Sequence, residues 1–362
     1  MNAGIYLHVP FCAQKCPYCD FYSRAYRKST AEAWFQAMLC NIRALPEHLP
    51  VDSVYFGGGT PSLIPPAQIA SMLNAVRMRC DVADDTEVTL EANPRTVTEE
   101  HLLAWKSAGI NRLSVGVQSF RDEILQTLGR THTAQQAKDA LLRASDAGFS
   151  NLSLDLMLGL PAQTASVWAE ELQTAVSMPV THISAYLLKI EENTPFGANP
   201  PALSDSDEAA DRWLQMHDML TGAGFHHYEI SNFAKPGCES CHNNKYWLCA
   251  PYYGIGPGAH SCHDGIRTSV PRDLNAFCSG NLQTETVTDS HPLTDGERIM
   301  LGLRLADGIA PADYPDAAEK LMAAAKPLIP QYLRTENGRL RMTPEGWLVS
   351  NAVLAQLLRN IE

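Results

Sequence analysis

The sequence predicts an α/β protein built on a partial (β/α)6 barrel, followed by a small C-terminal α+β domain. Short apolar runs of β-forming residues alternate with segments whose apolar residues recur at helical spacing. The starts of successive runs are separated by 48, 34, 25, 40 and 30 residues, the spacing of strand–helix units that build parallel sheets. The series stops at six units, where a complete barrel has about eight, so we expect an open side.

Each predicted strand is followed by a predicted helix that carries the chain back. Parallel neighbours need such crossovers, because a tight turn joins only antiparallel strands. One crossover begins at Thr98, a side chain suited to cap a helix, ahead of the apolar Leu102 and Trp105. The predicted strands cover residues 5–7, 53–56, 87–90, 112–117, 152–156 and 182–188.

The chain is expected to divide into three parts. Residues 1–200 form the partial barrel, and residues 201–290 form an extension that closes its open side. The extension contains a predicted helix over 206–222 and a loop-rich stretch over 226–263 that contains several Cys and His residues. Residues 291–362 form a small helical, winged-helix-like domain, in which a hairpin over 338–346 leads into the last helix.

Composition and charge narrow the function classes. With 28 Lys and Arg against 40 Asp and Glu, the formal charge is −12, which argues against sequence-independent binding of nucleic acid. No apolar run approaches the roughly 18 residues that a membrane helix needs, and the N-terminus lacks a signal-peptide pattern. We therefore expect a cytoplasmic protein without a membrane span, while peripheral association stays open. In that reducing compartment, its ten cysteines point to metal ligands or reactive thiols rather than disulfides.

The strongest chemical signal is Cys12-x3-Cys16-x2-Cys19, in the loop after the first strand. A structural zinc site needs four ligands, usually from two paired motifs, and no second pair lies nearby. Cys40 and Cys80 are interpreted as buried apolar thiols. Iron–sulfur clusters normally take four thiolates, so three thiolates imply a cluster in which one iron keeps an open position.

This loop, with Tyr18 just before the third cysteine, resembles the signature of the radical S-adenosylmethionine (SAM) superfamily. The resemblance implies a TIM-like radical SAM barrel and a [4Fe-4S] cluster ligated by Cys12, Cys16 and Cys19. It also implies that SAM chelates the fourth iron through its amino and carboxylate groups, with the cofactor supplying the radical chemistry.

Polar and glycine-rich segments follow the other predicted strands, at the end where barrel folds carry their chemistry. Gly57-Gly58-Gly59-Thr60 lets backbone approach a ligand closely, although such a segment is also an ordinary turn. A single carboxylate at a strand end can equally cap the next helix. The resemblance implies SAM contacts from Tyr6, Tyr18, Gly58, Gly59, Thr60, Glu91, Gln118, Arg130 and Asp155, with Arg130 as the cation for the SAM carboxylate.

Most of the chain looks like the oxygen-independent coproporphyrinogen III oxidase group within this superfamily. The similar segments are residues 6–12, the glycine-rich turn, and residues 118–120 and 155–161. The oxidases carry a further cysteine two residues after the third, where this sequence has Phe21, and an N-terminal arm that is absent here. Both departures argue against decarboxylation of coproporphyrinogen III.

A third signature, His242-Asn243-x-x-Tyr246-Trp247, resembles the haem-chaperone branch of this group, HemW. The resemblance implies haem as a ligand, His242 as the first candidate for its axial ligand, and a haem-accepting protein as the partner. Neutral imidazole is a common axial ligand, and the neighbouring aromatic side chains could cover a porphyrin face. The alternative is a histidine whose hydrogen bonds are satisfied within a packed loop.

Two other metal or haem sites stay open around His242. The pattern Cys238-x-x-Cys241-His242 has the form used for covalent c-type haem attachment, which normally takes place outside the cytoplasm. Alternatively, Cys238, Cys241, Cys249 and Cys262 could hold zinc, although their spacing is irregular.

Two more histidines have no settled role. His8 alternates with apolar residues on the first strand, so it either faces the barrel interior near the cluster or is a satisfied core histidine. His260 follows the glycine-rich run 254–258 and could approach SAM or haem, but such a run by itself indicates only close backbone approach.

The leading functional prediction is haem binding and delivery on a radical SAM scaffold. The alternative is an oxygen-independent coproporphyrinogen III oxidase that acts by radical oxidative decarboxylation. A third candidate is a redox sensor whose cluster is lost to oxidants and which binds no haem.

Overall fold

The computed structural model describes residues 2–359. Six parallel strands, neighbours in space in their order along the chain, form the centre of a 12-stranded sheet. All six lie where the sequence predicts strands, so the α/β fold with a parallel sheet is confirmed. They are β1 (Ala3–Val9), β2 (Leu49–Gly58), β3 (Cys80–Ala92), β4 (Arg112–Gln118), β5 (Asn151–Leu158) and β6 (His182–Leu187).

Short strands from the second half of the chain extend the sheet at both edges. They are β7 (His226–Glu229), β8 (Asn232–Ala234), β9 (Tyr252–Ile255), β10 (His260–His263), β11 (Ile266–Ser269) and β12 (Thr286–Asp289). On one edge, β8 pairs antiparallel with β6. On the other edge, β9 pairs parallel with β1, and β10, β11 and β12 follow as antiparallel neighbours.

The sequence-based prediction of a loop-rich stretch over 226–263 is therefore wrong in part. The stretch contains four strands and a helix, and one of those strands is a seventh parallel strand that the sequence did not reveal. Each of these strands is three or four residues long, too short for its periodicity to stand out from the polar residues around it.

Helices connect the strands and cover the sheet. They are α1 (Lys28–Arg43), α2 (Pro66–Arg79), α3 (Glu99–Ala108), α4 (Asp122–Thr127), α5 (Ala134–Asp146), α6 (Ala165–Ser177), α7 (Pro195–Ala198), α8 (Ser206–Gly222), α9 (Cys241–Trp247), α10 (Leu274–Phe277), α11 (Asp295–Gly302), α12 (Ala318–Ala325), α13 (Pro344–Leu348) and α14 (Ser350–Leu358). Two predicted helix features are confirmed: α8 has the predicted bounds, and the Thr98 side chain accepts a hydrogen bond from the His101 N–H at the start of α3.

The two faces of the sheet differ in chemistry. In β1, Ile5, Leu7 and Val9 are fully buried in the apolar core on one face, whereas Tyr6 and His8 project from the other. Polar side chains of the neighbouring strands lie on this second, inner face. The strand register sets Tyr6 opposite Tyr55, Glu91 opposite Ser114, and Asp155 opposite Ser184. The inner face is therefore where polar ligands can be bound.

The core between sheet and helices is large and continuous. Trp34, Trp105 and Trp168 are fully buried in it, and the same contiguous apolar cluster extends to Leu357 near the end of the chain. The C-terminal part contains a hairpin formed by β13 (Leu333–Glu336) and β14 (Arg339–Met342), which lies earlier in the chain than the predicted 338–346, because helix α13 already begins at Pro344. The three-part division at residues 200 and 290 stays a prediction.

The two isolated cysteines differ in burial. Cys80 is buried, as predicted, but Cys40 is exposed, so its interpretation as a buried thiol is wrong. Met38 lies on the buried face of α1. Cys40 comes two residues later, and two residues turn a helix by about 200°, so the Cys40 side chain points away from the core. Among the described residues, no helix combines the length and apolarity needed to cross a bilayer.

Candidate functional site

The three cysteines lie in a loop that the backbone holds over the carboxyl end of β1. Its arms pair as a short parallel bridge, with the Arg24 N–H donating to the Pro10 carbonyl (2.8 Å) and the Tyr26 N–H to the Cys12 carbonyl (3.0 Å). Within the loop, the Cys19 N–H donates to the Cys16 carbonyl (3.2 Å). The loop is thus a defined turn, and all three thiols are half-buried in it.

The sulfur atoms are close enough to affect one another's ionisation. Burial raises the pKa of Cys19, and the neighbouring Cys16 and Cys12 add to the rise. Gathering thiols in this way disfavours the thiolates unless a cation compensates them, which is the compensation that a metal ion or an iron–sulfur cluster supplies to its thiolate ligands.

Arg130 is a half-buried cation that the protein places beside this loop. Its Nη1 lies 3.6 Å from the Cys16 sulfur, and its Nη2 donates to the Gly116 carbonyl (2.7 Å). Its Nε is buried and has no hydrogen-bond partner among the described residues. Burial alone would lower the pKa of Arg130, but the adjacent Tyr18 and Cys16 raise it above the ordinary arginine value. A charged guanidinium with a free donor suits an anionic ligand such as a carboxylate.

The glycine-rich turn after β2 packs directly under the cysteine loop. The Gly59 N–H donates to the Val9 carbonyl (2.8 Å), and the Thr60 hydroxyl lies 3.6 Å from the Cys12 sulfur. A Cβ on Gly59 would come within 2.5 Å of the Phe11 carbonyl oxygen. Gly58 has φ +108°, and a Cβ there would meet the His8 ring at 2.5 Å. Both positions therefore require glycine for steric reasons.

Two carboxyl groups lie side by side on the inner face. Glu91 accepts hydrogen bonds from the Tyr55 hydroxyl (2.8 Å) and the Gly58 N–H (3.2 Å), and Asp155 accepts one from the Ser114 hydroxyl (3.2 Å). Burial raises the pKa of Glu91 to about 7 and that of Asp155 to about 6. The charge of Asp155 adds to the rise in the pKa of Glu91. Such half-buried acids are suited to accept hydrogen bonds from a ligand's hydroxyl or amino groups.

Gln118 ends β4 in a left-handed conformation, with φ +70°. Gly116 makes room for it, because a Cβ there would lie 3.0 Å from the Gln118 Nε2 and 3.3 Å from the Arg130 Nη2. The following turn is held by the buried Glu171, which accepts from the Ser119 hydroxyl and from the Phe120 N–H. The β4 turn thus brings an amide and a guanidinium together at one strand end.

His242 lies at the opposite end of the barrel from the cysteine loop. Its ring packs against Gly4, at the start of β1, and the rise of about 3.3 Å per residue separates Gly4 from the loop beyond Val9 by most of the strand. The ring is fully buried, with Nδ1 3.0 Å from the Ser53 hydroxyl and Nε2 3.1 Å from the Tyr246 hydroxyl. Burial lowers the pKa of His242 to about 3, and the nearby Lys245 adds to the shift.

Both ring nitrogens of His242 are hydrogen-bonded inside the protein, so ligation of a haem iron requires one of these bonds to break, and His242 as the axial ligand stays a prediction. The arrangement matches the alternative of a satisfied histidine, though within helix α9 rather than a loop. The Glu87 carboxylate fixes that helix by accepting from the Cys241 and His242 N–H groups (both 3.0 Å). Because burial also raises the pKa of the Cys241 thiol to about 11, Cys241 is protonated at neutral pH.

The zinc alternative also lacks support from the described residues. Cys249 and Cys262 line one small cavity of about 270 Å³ with Tyr252 and Arg267, whereas the Cys241 sulfur approaches the Asp52 carbonyl. No three His, Cys, Asp or Glu side chains between residues 2 and 359 converge to hold a metal ion. This absence also covers Cys12, Cys16 and Cys19. An iron–sulfur cluster binds each thiolate to a different iron, so its sulfur ligands lie farther apart than the ligands of a single zinc ion, which lie within about 4 Å of one another.

Comparisons with known proteins match this architecture. Residues 6–175 match the radical SAM superfamily, and residues 296–349 match the HemN C-terminal domain. A haem chaperone HemW from Synechocystis is 35% identical over 100% of this chain and 98% of its own length. This chain belongs to the HemW family. The HemW of Escherichia coli is 42% identical over 76% of each chain.

The solved structure of Escherichia coli coproporphyrinogen III oxidase (HemN) has the same fold as this HemW-family chain. The TM-score is 0.81 at 20% sequence identity, over 98% of this chain and 90% of that one. The radical SAM fold is thereby confirmed, and the superfamily implies a [4Fe-4S] cluster and SAM. Donors suited to both are present: three thiols in one loop, a guanidinium with a buried free N–H, and two carboxyl groups.

Several residues of this HemW-family site did not stand out in the sequence. Tyr55 and Ser114 position the two carboxyl groups, and Glu171 positions the Gln118 turn. Both lie on predicted strands, Tyr55 two residues before the glycine-rich turn that starts at Gly57 and Ser114 four residues before Gln118, so strand alternation could have placed them on the inner face. Glu171 lies inside α6, more than fifty residues from its partners, and nothing in the sequence indicates that contact.

Proposed function

We propose that this protein is a haem chaperone, which binds haem and transfers it to acceptor proteins. The observation that carries the proposal is similarity along the whole chain: the Synechocystis HemW covers all of it at 35% identity. Phe21, which stands where the oxidases have a further cysteine, supports this reading over coproporphyrinogen III oxidation.

The cofactor residues are part of the proposal. Cys12, Cys16 and Cys19 hold the [4Fe-4S] cluster, which supplies one-electron chemistry and an open iron position when it is bound. The side chains and glycines around the cysteine loop then surround SAM, and Arg130 donates from its free Nε to the SAM carboxylate. The proposed contacts are Tyr6, Tyr18, Gly58, Gly59, Thr60, Glu91, Gln118, Arg130 and Asp155.

We place the protein in the cytoplasm. All ten cysteines are free thiols, and a reducing compartment keeps them available for the cluster. The proposed partner is a haem-accepting protein.

Anaerobic haem titration of the reconstituted protein tests the proposal. We expect a saturable Soret signal at one equivalent of haem, followed by transfer of the haem to a separately purified apo-haemoprotein. The Cys16→Ala variant should lose iron and the cluster spectrum, which checks the proposed ligands independently of haem.

A parallel assay with coproporphyrinogen III separates the chaperone from the oxidase. We expect no conversion under conditions that reduce the cluster in the presence of SAM. Turnover on the order of 1 per second, typical of enzymes, together with no saturable haem binding, would overturn the proposal.

A further inference from the structure

One arginine lies inside the barrel with its side chain almost completely buried. Arg112 is the first residue of β4 and is 1% exposed. Because alternate residues of a strand share a face, Arg112 lies on the inner face with Ser114. Its Nε lies 3.8 Å from a carboxylate oxygen of Glu87 on β3 and has no hydrogen-bond partner among residues 2–359. A cation buried in this way costs free energy unless negative charges nearby compensate it.

Glu87 compensates this charge only in part. Its two carboxylate oxygens accept hydrogen bonds from the Cys241 and His242 N–H groups, each at 3.0 Å, at the start of α9. These bonds hold the carboxylate at the helix, so its 3.8 Å approach to Arg112 exceeds the roughly 2.7–2.9 Å of a direct charge-assisted hydrogen bond. Other negative groups must therefore share the charge of the guanidinium.

The two carboxyl groups proposed to contact SAM are these other groups. Glu91 lies opposite Ser114 in the strand register, and the Ser114 hydroxyl donates to Asp155 (3.2 Å). Burial raises the pKa of both carboxyl groups, and the charge of Arg112 acts in the opposite direction on each. Burial alone would lower the pKa of Arg112, but the charge of Glu87 and its neighbours raises it, so the guanidinium stays protonated.

Arg112 and Arg130 are the cations among the groups that face Glu91 and Asp155. The other groups are the Ser114 and Ser184 hydroxyls and the side chains of Tyr6, Tyr55, Tyr186 and Tyr246. Desolvation raises the pKa of each tyrosine, so all four are neutral at pH 7. Arg130 lies beside the Cys16 sulfur and is proposed for the SAM carboxylate. Arg112 is thus the cation that remains for the two carboxyl groups.

We propose that Arg112 is a positioning residue for SAM binding, which supplies the positive charge beside Glu91 and Asp155 from inside the barrel. The assignment rests on the proposed SAM contacts of these two carboxyl groups. The charge favours their carboxylate forms, which accept hydrogen bonds from hydroxyl and amino groups of the ligand. Glu87 holds the guanidinium in place and joins it to helix α9 at the opposite end of the barrel.

The pH dependence of SAM affinity, measured by equilibrium binding to the reconstituted protein, tests the assignment. In the parent, affinity should fall as the pH decreases from about 7 to about 6, where Glu91 and Asp155 take up protons. Arg112→Met should move the midpoint of this fall upward by about one pH unit, the lower end of the effect of a neighbouring opposite charge. Arg112→Lys retains the charge and should keep the midpoint of the parent.

Glu87→Gln should move the midpoint in the opposite direction. It removes a negative charge beside Arg112, so the guanidinium acts more strongly on Glu91 and Asp155, and their protonation shifts to lower pH. Arg212→Met is the matched control, because Arg212 is also buried and has a glutamate partner at 3.1 Å, but lies on α8. It should leave the midpoint unchanged. Loss of a purely structural ion pair would lower stability without moving the midpoint in opposite directions.

The variants separate this assignment from the proposed SAM site. If Arg112→Met keeps both the circular dichroism and the midpoint of the parent, the assignment is wrong while the proposed site stands. If Arg112→Met does not fold, an unchanged midpoint in Glu87→Gln overturns the assignment in its place. A parent that binds no SAM overturns the proposed cofactor residues and this assignment together.

Discussion

At the scale of single residues, buried polar groups in this protein fall into two kinds. Both ring nitrogens of His242 are hydrogen-bonded within the barrel, whereas the Arg130 Nε is buried with no partner among the described residues. A satisfied buried group stabilises the fold, and an unsatisfied one costs free energy until a ligand pairs with it. By this rule the hydrogen bonds of His242 stabilise the fold, whereas the Arg130 Nε keeps the free donor that the proposed SAM contact uses.

His242→Ala should therefore lower the free energy of unfolding. The change deletes a fully buried ring and leaves the Ser53 and Tyr246 hydroxyls without their partner, which together cost about 2–4 kcal/mol. Urea unfolding measures the loss, and His226→Ala should stay within about 0.5 kcal/mol of the parent. Unchanged stability combined with lost haem binding would return His242 to the role of ligand.

Glu91→Gln should stabilise the protein more at pH 7.5 than at pH 5. The folded-state pKa of Glu91 is raised to about 7, so the folded parent holds a proton that the unfolded chain releases near pH 4.5. Below pH 4.5 the protonated Glu91 contributes its full stabilisation to the parent, and this contribution is lost as the pH rises from 4.5 to about 7. A glutamine at this position does not titrate, so the variant does not lose stability in this way. The measurement is the difference in unfolding free energy between variant and parent across this range, and a pH-independent difference would contradict the assigned shift.

At the scale of elements, the residues that we propose to bind the cluster and SAM come from the carboxyl ends of successive strands. The cysteine loop follows β1, the glycine turn follows β2, Glu91 lies at the end of β3 and Gln118 at the end of β4. Parallel strands bring these ends to one edge of the sheet, although they are distant in the chain. Each end is shaped by a local steric requirement, and the left-handed Gln118 beside Gly116 is one example.

Gly116→Ala should weaken SAM binding while leaving the fold intact. The added methyl group would lie 3.0 Å from the Gln118 amide nitrogen and 3.3 Å from an Arg130 guanidinium nitrogen, so both must move by a few tenths of an ångström. We expect a loss of affinity of about tenfold, the effect of disturbing one charge-assisted contact, in equilibrium binding to the reconstituted protein. Gly222→Ala is the control, because a Cβ at Gly222 meets nothing within 4 Å. Equal SAM affinities in the two variants would remove the β4 turn from the site.

At the scale of the whole molecule, the two halves of the chain complete one another. Strands β9 to β12 extend the sheet beyond β1, and helix α9 places His242 under strands of the first half. The C-terminal segment is joined through Trp347, whose indole donates to the Leu303 carbonyl (3.0 Å) and packs edge-on against Trp213. The apolar core is consequently one cluster rather than several.

Trp347→Ala should destabilise regions well beyond its own helix. Removing a large buried ring costs about 3–5 kcal/mol, and hydrogen exchange should become faster in α8, where Trp213 lies, as well as in α13. Val349→Ala, at a 41% exposed position nearby, is the control and should change neither. Faster exchange confined to the last two helices would indicate that the C-terminal segment unfolds independently.

The sequence by itself determined the features whose signal is local: six strands in chain order, helix α8, the Thr98 cap, the cysteine loop and the family. Their patterns repeat within a few residues or belong to one motif, so no distant contact is needed to detect them. The tertiary structure alone decided the rest: a seventh parallel strand of four residues, the exposure of Cys40 and the burial of His242. It also decided that both ring nitrogens of His242 are hydrogen-bonded, because register and packing between distant segments determine which polar groups find partners.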